Sequence, residues 1–202
     1  MKLYFSPGAC SLSPHIALRE AGLAVELAKV DLRARKLEDG SDYTLINPKG
    51  YVPALGLDEG DVLTEGPAIV QYIADRNPAS GLAPAAGTLA RYRLQEWLNF
   101  ISTEVHKQFS PLFNPASSED IKSAARDRLS SRFEWIAAQM AGEQYLMGDT
   151  FTVADGYLFT VMNWAPRVKV DLSRWPVLSD YAARIAARPA VQDAMRAEGL
   201  IK

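Results

Sequence analysis

One cysteine and two histidines carry most of the reactive chemistry open to this 202-residue chain. Cys10 follows an apolar run and a Ser-Pro-Gly turn, and stands just ahead of a segment that reads as a helix. Pro14 falls in the first turn of that helix, Ile16, Ala17 and Leu18 give it an apolar side, and Gly22 is placed to stop it. The first N–H groups of a helix lack intrahelical partners and the helix dipole adds positive potential there, so the position favours an anion. A thiolate is such an anion. The spacing predicts a Cys10 thiol titrating below the free value of about 8.5, with Ser11 or Ser13 capping the helix. A buried, inert structural cysteine is the competing reading. One Cys with only His15 and His106 makes a zinc cluster improbable, and no metal is expected.

A second polar group lies in the middle of the chain. Asn99, Thr103 and His106 recur at i, i+4 and i+7 beside the apolar line Leu94, Leu98, Ile101 and Val105, so a regular helix would gather them into one stripe. A solvated face explains such a stripe without chemistry. Thr152 and Asp155 have the spacing of a capping box opening a helix over 153–159, a structural reading that leaves no chemistry to explain.

The elements that must position these residues fall into two halves. Residues 1–32 read as strand, helix, strand, a βαβ unit with parallel strands. Residues 33–40 are charged and turn-like, residues 41–47 allow one or two helical turns, and residues 54–57 and 62–64 form a hairpin. Glu65-Gly66-Pro67 then opens a helix to Arg76. The Pro-, Gly- and Ala-rich stretch 77–87 is a linker. Beyond it the apolar spacing is helical over 88–108 and 118–140, with a last short helix over 191–199. The expected domains are 1–80, α/β, and 88–202, all helical. Balanced composition, with 48% hydrophobic residues, 23% charged and a net charge of −2, offers no basic patch for nucleic acid or a membrane surface. One cysteine, no leader pattern and no long apolar run lead to the expectation of a reducing cytoplasm.

Four motifs then converge. KLYFSPGACSLSPHIALRE, NPKGYVP with LTEGPAIVQYIAD, EWLNFISTEVHKQFSPLF and FTVADGYLF, in this order, resemble the cytosolic glutathione S-transferases, most closely the bacterial beta class. The resemblance implies an α/β thioredoxin-like N-terminal domain plus an all-α helical-bundle C-terminal domain, a homodimer, and a role in detoxification. Glutathione is the implied co-substrate, and small apolar electrophiles its partners. It also implies a cis bond before Pro53 that frees the Val52 backbone to pair with the cysteinyl part of glutathione. Glu65 and Gly66 are implied at its γ-glutamyl end, and Arg35, where the family pattern has Lys, at its glycine carboxylate. Asn99, Thr103 and Lys107 become candidate glutathione contacts, the first two toward a partner subunit's ligand, with His106 near the sulfur. Phe109, Phe113, Tyr157, Trp164 and Arg167 are placed around an electrophile pocket, with Trp164 and Phe113 foremost. His15 is given no role.

Two chemistries follow from a cysteine where many relatives carry Tyr or Ser. Cys10 and the helix start could stabilise the glutathione thiolate for conjugation, or Cys10 could form a mixed disulfide and support thiol transfer or peroxide reduction. A non-catalytic carrier of the same fold, and a dedicated glutathione-dependent isomerase or dehalogenase, are the alternatives.

Overall fold

The computed structural model describes residues 1–202 and divides the chain into two compact units, Met1–Ala83 with Ala187–Lys202, and Pro84–Ala186. In the first, β1 (Lys2–Phe5) runs into α1 (Leu12–Glu20) and returns as β2 (Glu26–Asp31), parallel to β1 with Leu3 opposite Leu27. Gly22, at φ +64°, ends α1 in the left-handed conformation that a side chain would oppose. A two-residue strand β3 (Lys36–Leu37) pairs back on β2 where only a charged loop was expected. The Asp31 carboxylate accepts the N–H groups of Arg33 and Ala34 at 2.8 and 3.0 Å, and this closes the turn that brings the chain back. The expected hairpin is β4 (Ala54–Gly56) and β5 (Val62–Thr64), followed by α2 (Gly66–Arg76). The sheet order is β3-β2-β1-β4-β5, with β4 antiparallel to β1.

The period of two along β1 sends its side chains to different destinations. Leu3 and Phe5 are buried on one face, where the Phe5 ring meets that of His15 from α1. Tyr4 points the other way and packs with Val30, Tyr43, Val52 and Ala54, beneath the loop that leads to β4.

The second unit is helical. α3 (Leu89–Phe100), capped by Thr88 through the N–H of Arg91, continues into a π-helical turn at Ile101–Val105, a 3₁₀ turn at His106–Phe109 and the single turn α4 (Ser110–Phe113). α5 (Glu119–Gln139) and α6 (Val153–Met162) follow, then α7 (Pro176–Ala186), which the sequence pattern did not mark. The Asp155 carboxylate accepts the Thr152 N–H at 2.8 Å, the N–H of Leu146 at 2.8 Å and the Tyr181 hydroxyl at 3.0 Å. The capping residue is therefore also the polar anchor of the helical core. No helix is long and apolar enough to cross a membrane.

α8 (Pro189–Ala197) corrects the expected boundary, because residues 187–202 belong to the first unit and not to the helical one. Three interactions draw it back. Arg188 forms a two-pronged pair with Glu20, at 2.6 and 2.8 Å. Glu198 accepts the Gly8 N–H at 2.8 Å through one oxygen and lies 2.9 Å from His15 Nδ1 through the other. The His15 and Glu198 side chains are both 0% exposed. Replacing Glu198 by Ala takes the acceptor from the fully buried His15 Nδ1, and removing one partner of such a buried pair costs about 3–5 kcal/mol. Urea unfolding of Glu198→Ala is expected to lose stability in that range; a loss below about 1 kcal/mol would contradict the buried geometry.

Candidate active site

Cys10 sits between β1 and α1 in a turn that Ser11 closes. The Ser11 hydroxyl accepts the Ser6 N–H at 3.1 Å and donates to the Ser6 carbonyl at 3.2 Å, so it staples the turn and makes no side-chain cap for the helix. The Cys10 thiol donates to the Val52 carbonyl at 3.1 Å. Its pKa is pushed up to about 12, chiefly by burial and further by the negative charge of Glu65, against the lowering effect of the Cys10 and Ser11 N–H groups. This overturns the depressed value expected from the helix start. Lost hydration penalises the anion by more than the neighbouring dipoles return.

The Val52 carbonyl is held in place by the segment before it. The Tyr51 carbonyl accepts the Tyr43 hydroxyl at 3.1 Å and the Asn47 side-chain N–H at 2.7 Å, and the Val52–Pro53 bond is cis, as the resemblance implied. Gly50, at φ +72°, lies under Arg35: a Cβ there would stand 3.2 Å from Arg35 Nε. Arg35 is thereby laid along the same segment. At the other end Glu65, itself at φ +72°, receives hydrogen bonds from Lys49 and from the Tyr51 hydroxyl at 3.0 Å. The Lys49 ammonium holds its carboxyl below the usual carboxylate range. Gly66 begins α2 beside Pro53, and with Pro67 next it leaves a backbone donor at the helix start. The first unit thus brings Cys10, Arg35, Val52, Pro53, Glu65 and Gly66 onto one loop system. Sequence reasoning missed Lys49 and Tyr51, which flank the turn at Gly50, where the N–H meets the Asn47 carbonyl at 2.8 Å, and which both reach the Glu65 carboxylate.

In the helical unit the expected stripe divides. Asn99, Thr103 and Lys107 are exposed, and the Thr103 hydroxyl donates to the Asn99 carbonyl at 3.0 Å. His106 turns inward: its Nδ1 lies 2.7 Å from the Tyr157 hydroxyl, and its ring meets Trp164 edge-on at 4.9 Å. Burial, with Lys107 adding to it, holds its pKa down at about 4, so the imidazole is neutral at pH 7. From Trp164 an aromatic wall continues to Phe109 at 5.3 Å and Phe113 at 5.8 Å. Phe113 is 49% exposed, whereas Tyr157 is 3% exposed. Tyr157 therefore touches His106 and presents little surface of its own to a ligand. Arg167 is exposed on the 3₁₀ turn after α6. No group of three His, Cys, Asp or Glu side chains is arranged to hold a metal.

A cysteine at the strand-to-helix turn, facing the backbone before a cis proline, defines a thioredoxin-like thiol site joined to an all-helical unit. Comparison with known proteins carries this further. The glutathione S-transferase N-terminal domain model matches residues 8–76 and the C-terminal domain model residues 100–189. The chain is 48% identical over 200 residues to glutathione S-transferase GstA of Escherichia coli O157:H7, covering 99% of this chain and 100% of that one. It is similar to the solved structure of BphK, a bacterial GST in a ternary complex, with TM-score 0.98 and 60% identity over 99% of this chain and 100% of the other. The beta class enzyme of Sphingomonas chungbukensis matches with TM-score 0.97 and 50% identity over the whole of both chains. The chain belongs to the glutathione S-transferase family, in its bacterial beta class, and is a glutathione transferase with glutathione as co-substrate.

The position of Cys10 makes a direct prediction. Its rate of alkylation by iodoacetamide should climb with pH beyond pH 9 without levelling, as a thiol titrating near 12 requires. A plateau centred at or below about 8.5, the free value, would contradict it.

Proposed function

We propose that glutathione lies along residues 51–53 and that the enzyme joins its sulfur to small apolar electrophiles. The hydrogen bond from Cys10 to the Val52 carbonyl carries the reading, because it sets a neutral sulfur donor against the backbone edge suited to a cysteinyl residue. In this reading Val52 pairs with that residue, Glu65 and the Gly66 N–H receive the γ-glutamyl ammonium and carboxylate, and Arg35 meets the glycine carboxylate. The family resemblance adds Asn99, Thr103 and Lys107 as further glutathione contacts, with His106 near the sulfur. Phe113 and Arg167, with the rings of Trp164 and Phe109 packed behind Phe113, receive the electrophile.

The chemistry is conjugation with Cys10 as a donor. The glutathione thiol loses its proton to solvent, and the thiolate accepts hydrogen bonds from His106 and from the Cys10 S–H, which turns to it from the Val52 carbonyl. It then attacks an electrophilic carbon, whose leaving group departs with the bonding electrons. Thiol transfer is a side activity. The minor Cys10 thiolate attacks oxidised glutathione to give a mixed disulfide and one glutathione thiolate; a further glutathione must resolve it, since the chain has one Cys. The enzyme acts in the cytoplasm as a homodimer. The exposed side of α3, with Leu89, Tyr92 and Asn99 in a row and Thr103 beyond, supports that assembly.

Cys10→Ala should abolish both the glutathione mass adduct and thiol transfer while lowering conjugation by about tenfold or less, because His106 and the helix start still support the thiolate; a dominant lone donor would cost about 10²–10³. Full thiol transfer in the variant would overturn the covalent role. Retained glutathione binding with no conjugation would make Cys10 the main activating group. In a separate experiment, dilution to a monomer verified by sedimentation should weaken glutathione binding. Unchanged affinity in that monomer would argue against a shared site.

A further inference from the structure

We infer that Tyr157 is a positioning residue that fixes His106 as a hydrogen-bond donor by giving its own proton to His106 Nδ1. The inference rests on the reading that His106 faces the glutathione sulfur, and deepens it. A neutral imidazole carries one N–H, and whichever nitrogen lacks it is an acceptor. The 2.7 Å separation between Nδ1 and the Tyr157 hydroxyl is a hydrogen bond in one of two directions. A phenol is a stronger donor than a neutral imidazole N–H, and an imidazole nitrogen is a stronger acceptor than a phenol oxygen. The proton therefore lies on the tyrosine side, and the ring keeps its own proton on Nε2.

The partner's chemistry decides the outcome. A carboxylate behind a histidine accepts Nδ1–H and leaves Nε2 as a base, the arrangement of a hydrolytic triad. A phenol that donates does the reverse and leaves the proton on Nε2. The rest of the site agrees with a donor. The charge bearing on the ring is Lys107, and burial holds the imidazole neutral with a pKa near 4, too weakly basic to keep a thiol proton. Trp164, edge-on at 4.9 Å, and Tyr157, at 5.8 Å and nearly perpendicular, restrain the ring. His106 then stabilises the glutathione thiolate through Nε2–H without proton transfer, and the thiol proton goes to water.

Nitrogen NMR of the ¹⁵N-histidine-labelled enzyme reads the tautomer directly, and His106→Ala assigns the resonances. The wild type should show the Nε2–H form alone between pH 6 and 8, with Nδ1 displaced by an incoming hydrogen bond. A protonated Nδ1 would overturn the inference. In Tyr157→Phe that displacement should vanish and the pKa of bound glutathione, followed by thiolate absorbance, should rise by about one unit. Conjugation below that pKa should then fall about tenfold in kcat with KM little changed, the lower end of what losing the partner behind a functional histidine costs. A merely structural Tyr157 would leave the thiol pKa unmoved. Incorporation of 3-fluorotyrosine at position 157, which keeps the hydroxyl and strengthens it as a donor, should lower that pKa; a rise would contradict the direction of the bond. The two levels of the reading fail differently. If His106→Ala leaves the bound thiol pKa unchanged, the placement of His106 at the sulfur falls. An impaired His106→Ala with an Nδ1–H wild type overturns the Tyr157 assignment alone.

Discussion

Glu198 commits both carboxylate oxygens to the segment that carries the cysteine, one to the Gly8 N–H and one to His15, and the turn depends on it because of where its other donors go. Ser6 N–H is taken by the Ser11 hydroxyl, residue 7 is a proline without an N–H, and Ala9 N–H reaches the Ser6 carbonyl at 3.0 Å. Glu198 supplies an acceptor for the N–H of residue 8 in a partly buried turn. With those donors satisfied, the Cys10 and Ser11 N–H groups are the ones left to act on the sulfur. The reactive position is thus assembled by a serine one residue ahead and a carboxylate near the other end of the chain.

That assembly explains why the thiol is not acidic. A helix start favours an anion when the anion keeps some water or meets a cation. Here Arg35 lies over Gly50, while the charge acting on Cys10 is the negative Glu65. Desolvation then decides the balance. For conjugation this is an advantage. An ionised Cys10 would repel a glutathione thiolate brought close to it, whereas a neutral S–H can donate a hydrogen bond to it. The same burial makes covalent chemistry at Cys10 slow at neutral pH, since the nucleophile is the thiolate.

What was legible in the sequence was what depends on local spacing. The βαβ start, the hairpin, the Pro-opened α2, the linker and the α5 and α6 patterns all rest on periodicity and turn residues, and the structure carries each. β3 was not legible because two residues are too few for a period to appear, and its pairing is set by the Asp31 turn. The homing of α8 was not legible either. Its determinants, Arg188 to Glu20 and Glu198 to His15, are single polar residues separated by 168 and 183 positions, and no local pattern announces them. Cys10, Val52, Pro53, Glu65 and Gly66, which the motifs single out, lie together on one loop system, while Lys49 and Tyr51 on the same loops were passed over. His15 received no role because a histidine on an apolar face gives no hint of what it will meet.

The division of the stripe at Asn99, Thr103 and His106 has a geometric cause. Spacings of four and seven gather residues on one face only while each residue advances roughly 100° around the axis. Ile101–Val105 is instead a π-helical turn, which takes more residues to complete a rotation, and the next four residues tighten into a 3₁₀ turn. Each change of pitch shifts the phase of everything after it. Asn99 and Thr103 lie before the full shift and stay at the surface, tied to each other through the Thr103 hydroxyl. His106 lies after it and is carried toward Tyr157 on α6 and Trp164 just beyond that helix. Val105, which closes the π turn, is buried, so the apolar line holds while the polar line is redirected. In a regular helix Asn99, Thr103 and His106 would all have faced water. The irregular turn is what converts a surface histidine into a neutral, hydrogen-bonded one, and it places that conversion in the same helix that keeps Asn99 and Thr103 exposed.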